Sequence, residues 1–146
     1  MIFCQVDKEL IDIIRKYAKN RIIVDCGCGD GLLGLLMKDI ISIDIFERDT
    51  ELIDNIIHMN VIDYPFKKVY FPVFLRPCHS YHFTHSFLEI HENNIDDMLY
   101  VSKQNNLEID IDIERYNVEQ VEDWIGEEGE KCYLVKMKKE KYNETI

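Results

Sequence analysis

The stretch RIIVDCGCGDGLLG at residues 21–34, followed by ISIDIF at residues 41–46, decides the fold of this chain. An apolar run ends in an acid, glycine then occupies every second position, and leucines follow at helical spacing. Because glycine lacks Cβ, Gly27, Gly29 and Gly31 can adopt positive φ and let the backbone approach a ligand closely. A helix that starts at the third glycine would direct its first N–H groups to the same place. The stretch predicts a strand that turns tightly into a helix beneath a nucleotide-type ligand.

The glycine spacing separates two kinds of nucleotide site. The dinucleotide fingerprint G-x-G-x-x-G would require glycine at position 32, which is leucine. Asp25 followed by Gly27, Gly29 and Gly31 resembles instead motif I of the class I S-adenosylmethionine-dependent methyltransferases. The resemblance implies S-adenosylmethionine as cofactor, with these four residues forming the cofactor turn. The alternative is a glycine-rich turn in another kind of α/β protein, where such turns are common.

A second apolar run, ISID, ends in an acid at the distance that this family requires. The resemblance implies that Asp44 binds the ribose hydroxyls and that Ile45 and Phe46 lie against the adenine. Asn60 then takes the place of an acid that contacts the adenine amino group, and an amide oxygen can accept that hydrogen bond. The implied fold is an α/β Rossmann-like sheet, mostly parallel with an antiparallel C-terminal strand, and with helices on both faces.

Hydrophobic periodicity supplies the other elements. Asp7 is suited to cap the first helix. The predicted helices cover residues 7–19, 31–38 and 82–94, the predicted strands cover 21–26, 40–46, 69–75 and 97–103, and an antiparallel pair within 116–139 closes the sheet.

Two segments depart from the family order. Residues 47–68 are too few for a full helix, a strand and their connections. Either NIIHMNV at 55–61 forms the third strand and the preceding helix is lost, or a helix occupies 50–59 and that strand is lost. LEIDIDIE at 107–114 alternates apolar and acidic residues and predicts a strand, where the family has a helix. We therefore expect a fold pared down after its second strand.

The loop RPCHS at 76–80 is the expected place of substrate chemistry, because ligands of open α/β sheets lie at the carboxyl ends of the strands. It lacks the Asn/Asp-Pro-Pro-Tyr sequence of nucleobase amino methyltransferases, which disfavours adenine N6 as acceptor. Cys78 resembles the nucleophile of cytosine C5 methyltransferases, and His79 can accept a proton near neutral pH. These two are the candidate catalytic residues. The alternative for Cys78 is a small apolar residue in a loop, and the alternative for His79 is a solvated side chain without a catalytic role.

Cys78 and the histidines that follow it form a cluster with metal-ligand chemistry. His82, His85 and His91 recur along one predicted helix, but their spacing fits no established zinc pattern. A polar, partly exposed helix start explains them better, so we predict no metal site.

Composition limits the remaining possibilities. The 146 residues are expected to form one domain, 1–146. The first residues carry charges within the first ten positions and contain no uninterrupted apolar run, which argues against a secretory signal. No apolar run is long enough for a bilayer, so a cytoplasmic location with reduced cysteines is expected. The net charge of -11 argues against direct nucleic-acid binding without a partner subunit, which favours a small-molecule or protein substrate.

Three hypotheses follow. The first is a methyltransferase that binds S-adenosylmethionine. The second is a catalytically silent module of the same fold that binds a partner, and the third is a metal-binding α/β protein.

Overall fold

A six-stranded sheet organises the chain, in the order β2-β1-β3-β4-β6-β5. The computed structural model describes residues 6–77 and 81–137, without the side chains of residues 81 and 82. The strands are β1 (Ile22–Cys26), β2 (Ile41–Ile43), β3 (Tyr70–Leu75), β4 (Asp97–Ser102), β5 (Asn117–Ile125) and β6 (Lys131–Lys136). The helices are α1 (Lys8–Ala18), α2 (Leu32–Met37), α3 (Tyr81–His91) and α4 (Gln104–Asp110), and a 3₁₀ turn covers Val61–Asp63.

The sheet is mostly parallel, as predicted. β1 pairs in parallel with β2 and β3, and β3 pairs in parallel with β4. β6 runs antiparallel to β4, and β5 runs antiparallel to β6. β5 therefore points the same way as β1 to β4, and among the described strands β6 alone runs the opposite way, which confirms the antiparallel strand predicted at the C-terminal end of the sheet.

Helices cover both faces of the sheet and bury one apolar cluster on each. On the first face, α1 contributes Leu10 and Ile14, and α2 contributes Leu33. On the second face, α3 contributes Phe87 and α4 contributes Leu107. Apolar burial on both faces is what a parallel sheet requires, and it accounts for the near-continuous hydrophobic strands.

The first helix forms where its apolar spacing predicts it. The carboxylate of Asp7 accepts a hydrogen bond from the Leu10 backbone N–H at 2.9 Å, which satisfies one of the free donors of the first turn. The predicted cap is therefore confirmed.

The strand predicted at 107–114 is wrong. α4 occupies its first half, and Leu107 and Ile111 are buried while Ile109 and Ile113 are exposed. In a strand all four would share one face, whereas the first pair lies four residues apart and shares a helical face. The alternation has the two-residue period of a strand, but Leu107 and Ile111 within it also fit the spacing of one helical face. Packing of these two residues against the sheet selects the helix.

The helix considered at 50–59 is also wrong. Between β2 and the 3₁₀ turn the described backbone is irregular, and the third strand considered at 55–61 is reduced to one parallel bridge between Ile43 and Ile57. Two hydrogen bonds flank that bridge, from Asp44 N–H to the Ile57 carbonyl and from Ile57 N–H to the Ser42 carbonyl. The fold is pared down after β2, as expected, and further than either alternative requires.

No helix within residues 6–77 and 81–137 has the length and apolar content needed to span a membrane.

Candidate cofactor-binding site

A pocket opens at the carboxyl ends of β1, β2 and β3, beside the point where the strand order reverses. This is the usual position for a ligand in an open α/β sheet. The pocket encloses about 190 Å³, which is below the usual range for pockets that bury a whole small ligand, so part of a nucleoside-sized ligand would lie in its mouth. Its lining residues are Cys26, Gly27, Gly29, Ile43, Asp44, Ile45, Phe46, Arg48, Met59, Asn60, Val61, Phe74, Leu75, Arg76, Pro77 and Phe83.

The glycine turn shapes one wall of this pocket. Gly27 has φ +79° and Gly29 has φ +59°, a region that side chains disfavour. A Cβ built on either residue meets no atom within 4 Å, because both face the open pocket. Gly31 differs, since its Cβ would lie 2.7 Å from the Ile53 side chain. Gly27 and Gly29 thus leave space for a ligand in the pocket, and Gly31 permits close packing of the turn against Ile53.

The N–H groups of this turn are already paired within the protein. Those of Gly27 and Cys28 donate to the Ile43 carbonyl at 2.9 and 2.8 Å, and that of Gly29 donates to the Asp44 carboxylate at 2.8 Å. The Gly31 N–H donates to the Cys28 carbonyl at 3.0 Å. These four amides belong to the turn, whereas the expectation of free donors concerned the first N–H groups of α2, which begins at Leu32 and for which it stays a prediction. A turn with its donors occupied is poorly suited to a pyrophosphate.

Asp44 lies at the end of β2 with its carboxylate at the pocket wall. One oxygen accepts from the Gly29 N–H, and the other accepts from the Phe46 N–H at 2.9 Å. Each carboxylate oxygen retains a second lone pair, so both can still accept from ligand hydroxyls. The same contacts fix the orientation of the carboxylate before any ligand binds.

Asp25 lies at the end of the neighbouring strand and is only 2% exposed. Burial, and secondly the charge of Asp44, raise its pKa to about 7. No hydrogen bond from the described residues offsets these two effects. Asp25 and Asp44 thus lie near the ends of neighbouring strands beside the glycine turn, where the negative charge of Asp44 disfavours ionisation of Asp25.

The residues predicted for the adenine line the pocket together. Ile45 and Phe46 are 56% and 64% exposed, which leaves flat apolar surface at the mouth. The Asn60 side-chain oxygen accepts from the Ile62 N–H at 3.0 Å and caps the 3₁₀ turn. This oxygen has one lone pair left for a ligand donor.

The opposite end of the pocket is formed by β3 and α3. Phe74, Leu75 and Phe83 give it apolar walls, and Arg76 closes it with φ +42°. The Arg76 guanidinium forms an ion pair with Glu128 in the turn between β5 and β6. Cys78 and His79, the predicted catalytic candidates, lie outside the described residues, and their roles stay predictions.

Cys26, Cys28, His85 and His91 are held by burial or by contacts with backbone carbonyls. Burial raises the pKa of the Cys26 and Cys28 thiols, which opposes a reactive thiolate at the turn. The His85 ring nitrogen lies 3.2 Å from the Ile109 carbonyl, and that of His91 lies 2.7 Å from the Ile62 carbonyl. Across the part of the chain that the structure describes, no three or more metal-binding side chains come together.

The sequence did not identify several residues that line the pocket. Arg48 and Met59 come from the irregular segment after β2, where no periodic pattern marks an inward-facing side chain. Phe83 comes from the first turn of α3. Only the position of this helix after β3 could have indicated it.

Several similar solved structures are named as methyltransferases. The 23S rRNA methyltransferase ErmE aligns with a TM-score of 0.60 and 14% sequence identity, over 94% of this chain and 70% of its own. A dimethyladenosine transferase from Plasmodium falciparum aligns with a TM-score of 0.62 and 16% identity, over 94% of this chain and 64% of its own. This chain thus spans less than two thirds of that protein.

TrmK of M. capricolum, in complex with S-adenosyl-homocysteine, aligns with a TM-score of 0.55 and 13% identity, over 92% of this chain and 70% of its own. No protein-family profile and no curated protein matches the sequence. Strand order, helix placement and these alignments agree, and the chain has the Rossmann-like fold of the class I S-adenosylmethionine-dependent methyltransferases.

Proposed function

We propose that this protein binds S-adenosylmethionine in the pocket beside Asp44 and transfers its methyl group to an acceptor at the Arg76 end. One observation carries the proposal: two carboxyl groups, Asp25 and Asp44, flank a glycine turn whose amides are already paired. Such a site suits a ligand with positive charge and hydroxyl donors. S-adenosylmethionine has a sulfonium, an ammonium group and a ribose diol, whereas a dinucleotide brings phosphates.

The residues present fit this cofactor. Gly27 and Gly29 leave open the space that a Cβ would fill, and Asp44 has lone pairs for the ribose hydroxyls. Ile45 and Phe46 offer apolar surface to the adenine. The ionised form of Asp25 would stabilise the positive charge of the ligand.

Methyl transfer asks this chain mainly to orient the acceptor and exclude water. When bound, the cofactor supplies a methyl group that its sulfonium already activates. Phe74, Leu75 and Phe83 form apolar walls at the far end of the pocket, where an acceptor would be shielded from solvent. His79 is the proposed proton acceptor for an acceptor group that must lose a proton, and Cys78 is the weaker catalytic candidate, as a nucleophile.

Two observations point to different acceptors. The net charge of -11 favours a small molecule or a protein. The names of ErmE and the dimethyladenosine transferase, in contrast, concern RNA and adenosine substrates. An RNA acceptor is therefore the second candidate, and it would require a basic partner subunit to bind the phosphates.

Calorimetry tests the cofactor. We expect S-adenosylmethionine and S-adenosyl-homocysteine to bind, and Asp44→Ala to lower both affinities roughly tenfold to a hundredfold, because hydrogen bonds to a charged group are lost. Asp39→Ala is the matched control, since Asp39 is an exposed acid that pairs with Arg15 outside the pocket. No binding at millimolar cofactor would overturn the proposal.

A second experiment tests the transfer itself. The protein is incubated with cofactor labelled in the methyl group and with cell extract, either intact or treated with ribonuclease. Label in protein or small molecules in both extracts supports the first acceptor class, and label lost after ribonuclease supports RNA. Cofactor binding without transfer to any fraction would favour the silent module.

A further inference from the structure

Arg48 lies in the pocket wall beside Asp44 with one nitrogen unsatisfied. Its Nη1 atom is buried and has no hydrogen-bond partner among the described residues. The nearest acceptor charge is Oδ1 of Asp44 at 3.4 Å, within ion-pair range but not aligned as a hydrogen bond. A buried donor without a partner costs about 1–3 kcal/mol. An acceptor atom on a ligand would remove that cost.

Polar contacts hold Arg48 in this position. Its backbone N–H donates to the Glu51 carboxylate at 2.9 Å, and the same carboxylate lies 3.3 Å from Nε2 of His58. The other ring nitrogen of His58 lies 3.2 Å from the Asp44 carbonyl oxygen. The guanidinium also lies 5.8 Å from the centre of the Phe46 ring. These contacts fix the irregular segment after β2, where no helix forms at 50–59, and they place Arg48 in the pocket wall.

We infer that Arg48 and Asp44 together bind one ribose hydroxyl of the cofactor, the arginine as donor and the aspartate as acceptor. The inference rests on the proposed function, because it concerns the same cofactor. A hydroxyl group has one proton to donate and two lone pairs that accept. A hydroxyl that donates to Oδ1 of Asp44 can therefore accept from Nη1 of Arg48, since these two atoms are only 3.4 Å apart.

This arrangement makes Arg48 a specificity-determining residue for the ribose. When the ligand lacks that hydroxyl, neither Nη1 of Arg48 nor Oδ1 of Asp44 gains a hydrogen-bond partner on binding. Sites that bind a hydroxyl in this way discriminate strongly against its absence, because buried polar groups are left unpaired. Arg48 was not predicted from the sequence, since a single arginine in a loop carries no motif.

The test combines a change in the protein with a change in the ligand. Calorimetry measures binding of S-adenosyl-homocysteine and of its 2′-deoxy and 3′-deoxy analogues to the wild-type protein and to Arg48→Met, which keeps an apolar stem over Phe46. Arg48→Gln is the second variant, because it keeps a side-chain donor. Arg15→Met is the matched control, since Arg15 is exposed on α1 and pairs with Asp39. Thermal unfolding verifies that each variant folds.

We expect Arg48→Met to lower the affinity for S-adenosyl-homocysteine roughly tenfold, with a smaller loss in Arg48→Gln and none in the control. Removal of one of the two hydroxyls from the ligand should cost the wild-type protein several-fold more than it costs Arg48→Met. Such a difference supports a shared hydroxyl and identifies which one it is.

Three results would decide against the inference. An Arg48→Met affinity within about twofold of wild type overturns it, and so does an equal fold-loss for all three ligands, because the arginine would then act without contacting a hydroxyl. A wild-type protein that binds no S-adenosyl-homocysteine at millimolar concentration overturns the proposed function, and the inference with it.

Discussion

Replacing Asp25 with asparagine is expected to make the free protein more stable at pH 8. Burial and the charge of Asp44 raise the pKa of Asp25 to about 7, whereas an aspartate in an unfolded chain titrates near 3.9. Between these values the folded protein keeps a proton that the unfolded chain has released. Stability therefore falls as pH rises from about 4 to about 7 and is level above that range.

The size of the effect follows from the difference between the two pKa values. About three pKa units at 1.36 kcal/mol each give a total penalty of about 4 kcal/mol above pH 7. About half of this, about 2 kcal/mol, develops between pH 5.5 and pH 8. Asparagine has nearly the same shape but does not ionise in this range. The free-energy advantage of Asp25→Asn should therefore grow by about 2 kcal/mol between pH 5.5 and pH 8.

Urea unfolding of the wild-type protein and Asp25→Asn at pH 5.5, 6.5, 7.5 and 8 measures this growth. Asp39→Asn is the control with the opposite linkage, because hydrogen bonds from Arg15 lower the pKa of exposed Asp39. Its contribution is present above the unfolded pKa and lost only as pH falls through its folded pKa, so it should not change over this range. A constant difference between Asp25→Asn and wild type from pH 5.5 to pH 8 would refute the reasoning.

Three further changes test contacts elsewhere in the fold. Gly34→Ala should destabilise the protein by about 1–3 kcal/mol in urea unfolding, because its Cβ would lie 2.7 Å from a neighbouring side chain; an unchanged midpoint would contradict this. Tyr100→Phe removes a 2.7 Å hydrogen bond to buried Asp110 and should lower the free energy of unfolding by about 1–3 kcal/mol in the same assay. A stability equal to that of the wild type would contradict this expectation. Glu122→Gln should lower the pKa of Tyr17 from about 12 in an ultraviolet titration, because the Glu122 carboxylate accepts a hydrogen bond from the phenol O–H and its charge opposes ionisation of the phenol. An unshifted titration curve would exclude that contact.

The sequence predicts those parts of the fold in which local signals and packing agree. Asp25 and Asp44 could be placed because each ends an apolar run, and a buried strand must end where the polar residues begin. The tight turn after β1 followed from its glycines. In the segment 107–114 the apolar spacing fits a strand and a helix equally, and only the contacts of Leu107 and Ile111 with the sheet decide between them.

The irregular segment after β2 could not be predicted for a different reason. Its conformation depends on individual polar contacts at irregular spacings, among them Glu51 with His58 and Asp30 with Thr50. Such contacts impose no period on the sequence. Arg48 belongs to this segment and lines the pocket. Its position in the pocket wall therefore could not be predicted from the sequence.

The two acids of the site are better explained by a ligand than by stability. Asp25 costs the free protein folding energy at neutral pH, and no hydrogen bond from the described residues repays that cost. A bound cation would favour the ionised form of Asp25, so the ligand should bind more tightly as pH rises through about 7. Its stabilising effect on unfolding should then be larger at pH 8 than at pH 6. A neutral ligand such as S-adenosyl-homocysteine lacks the sulfonium charge, so its binding should depend less on pH, and the difference between the two pH profiles isolates the charge of the sulfonium.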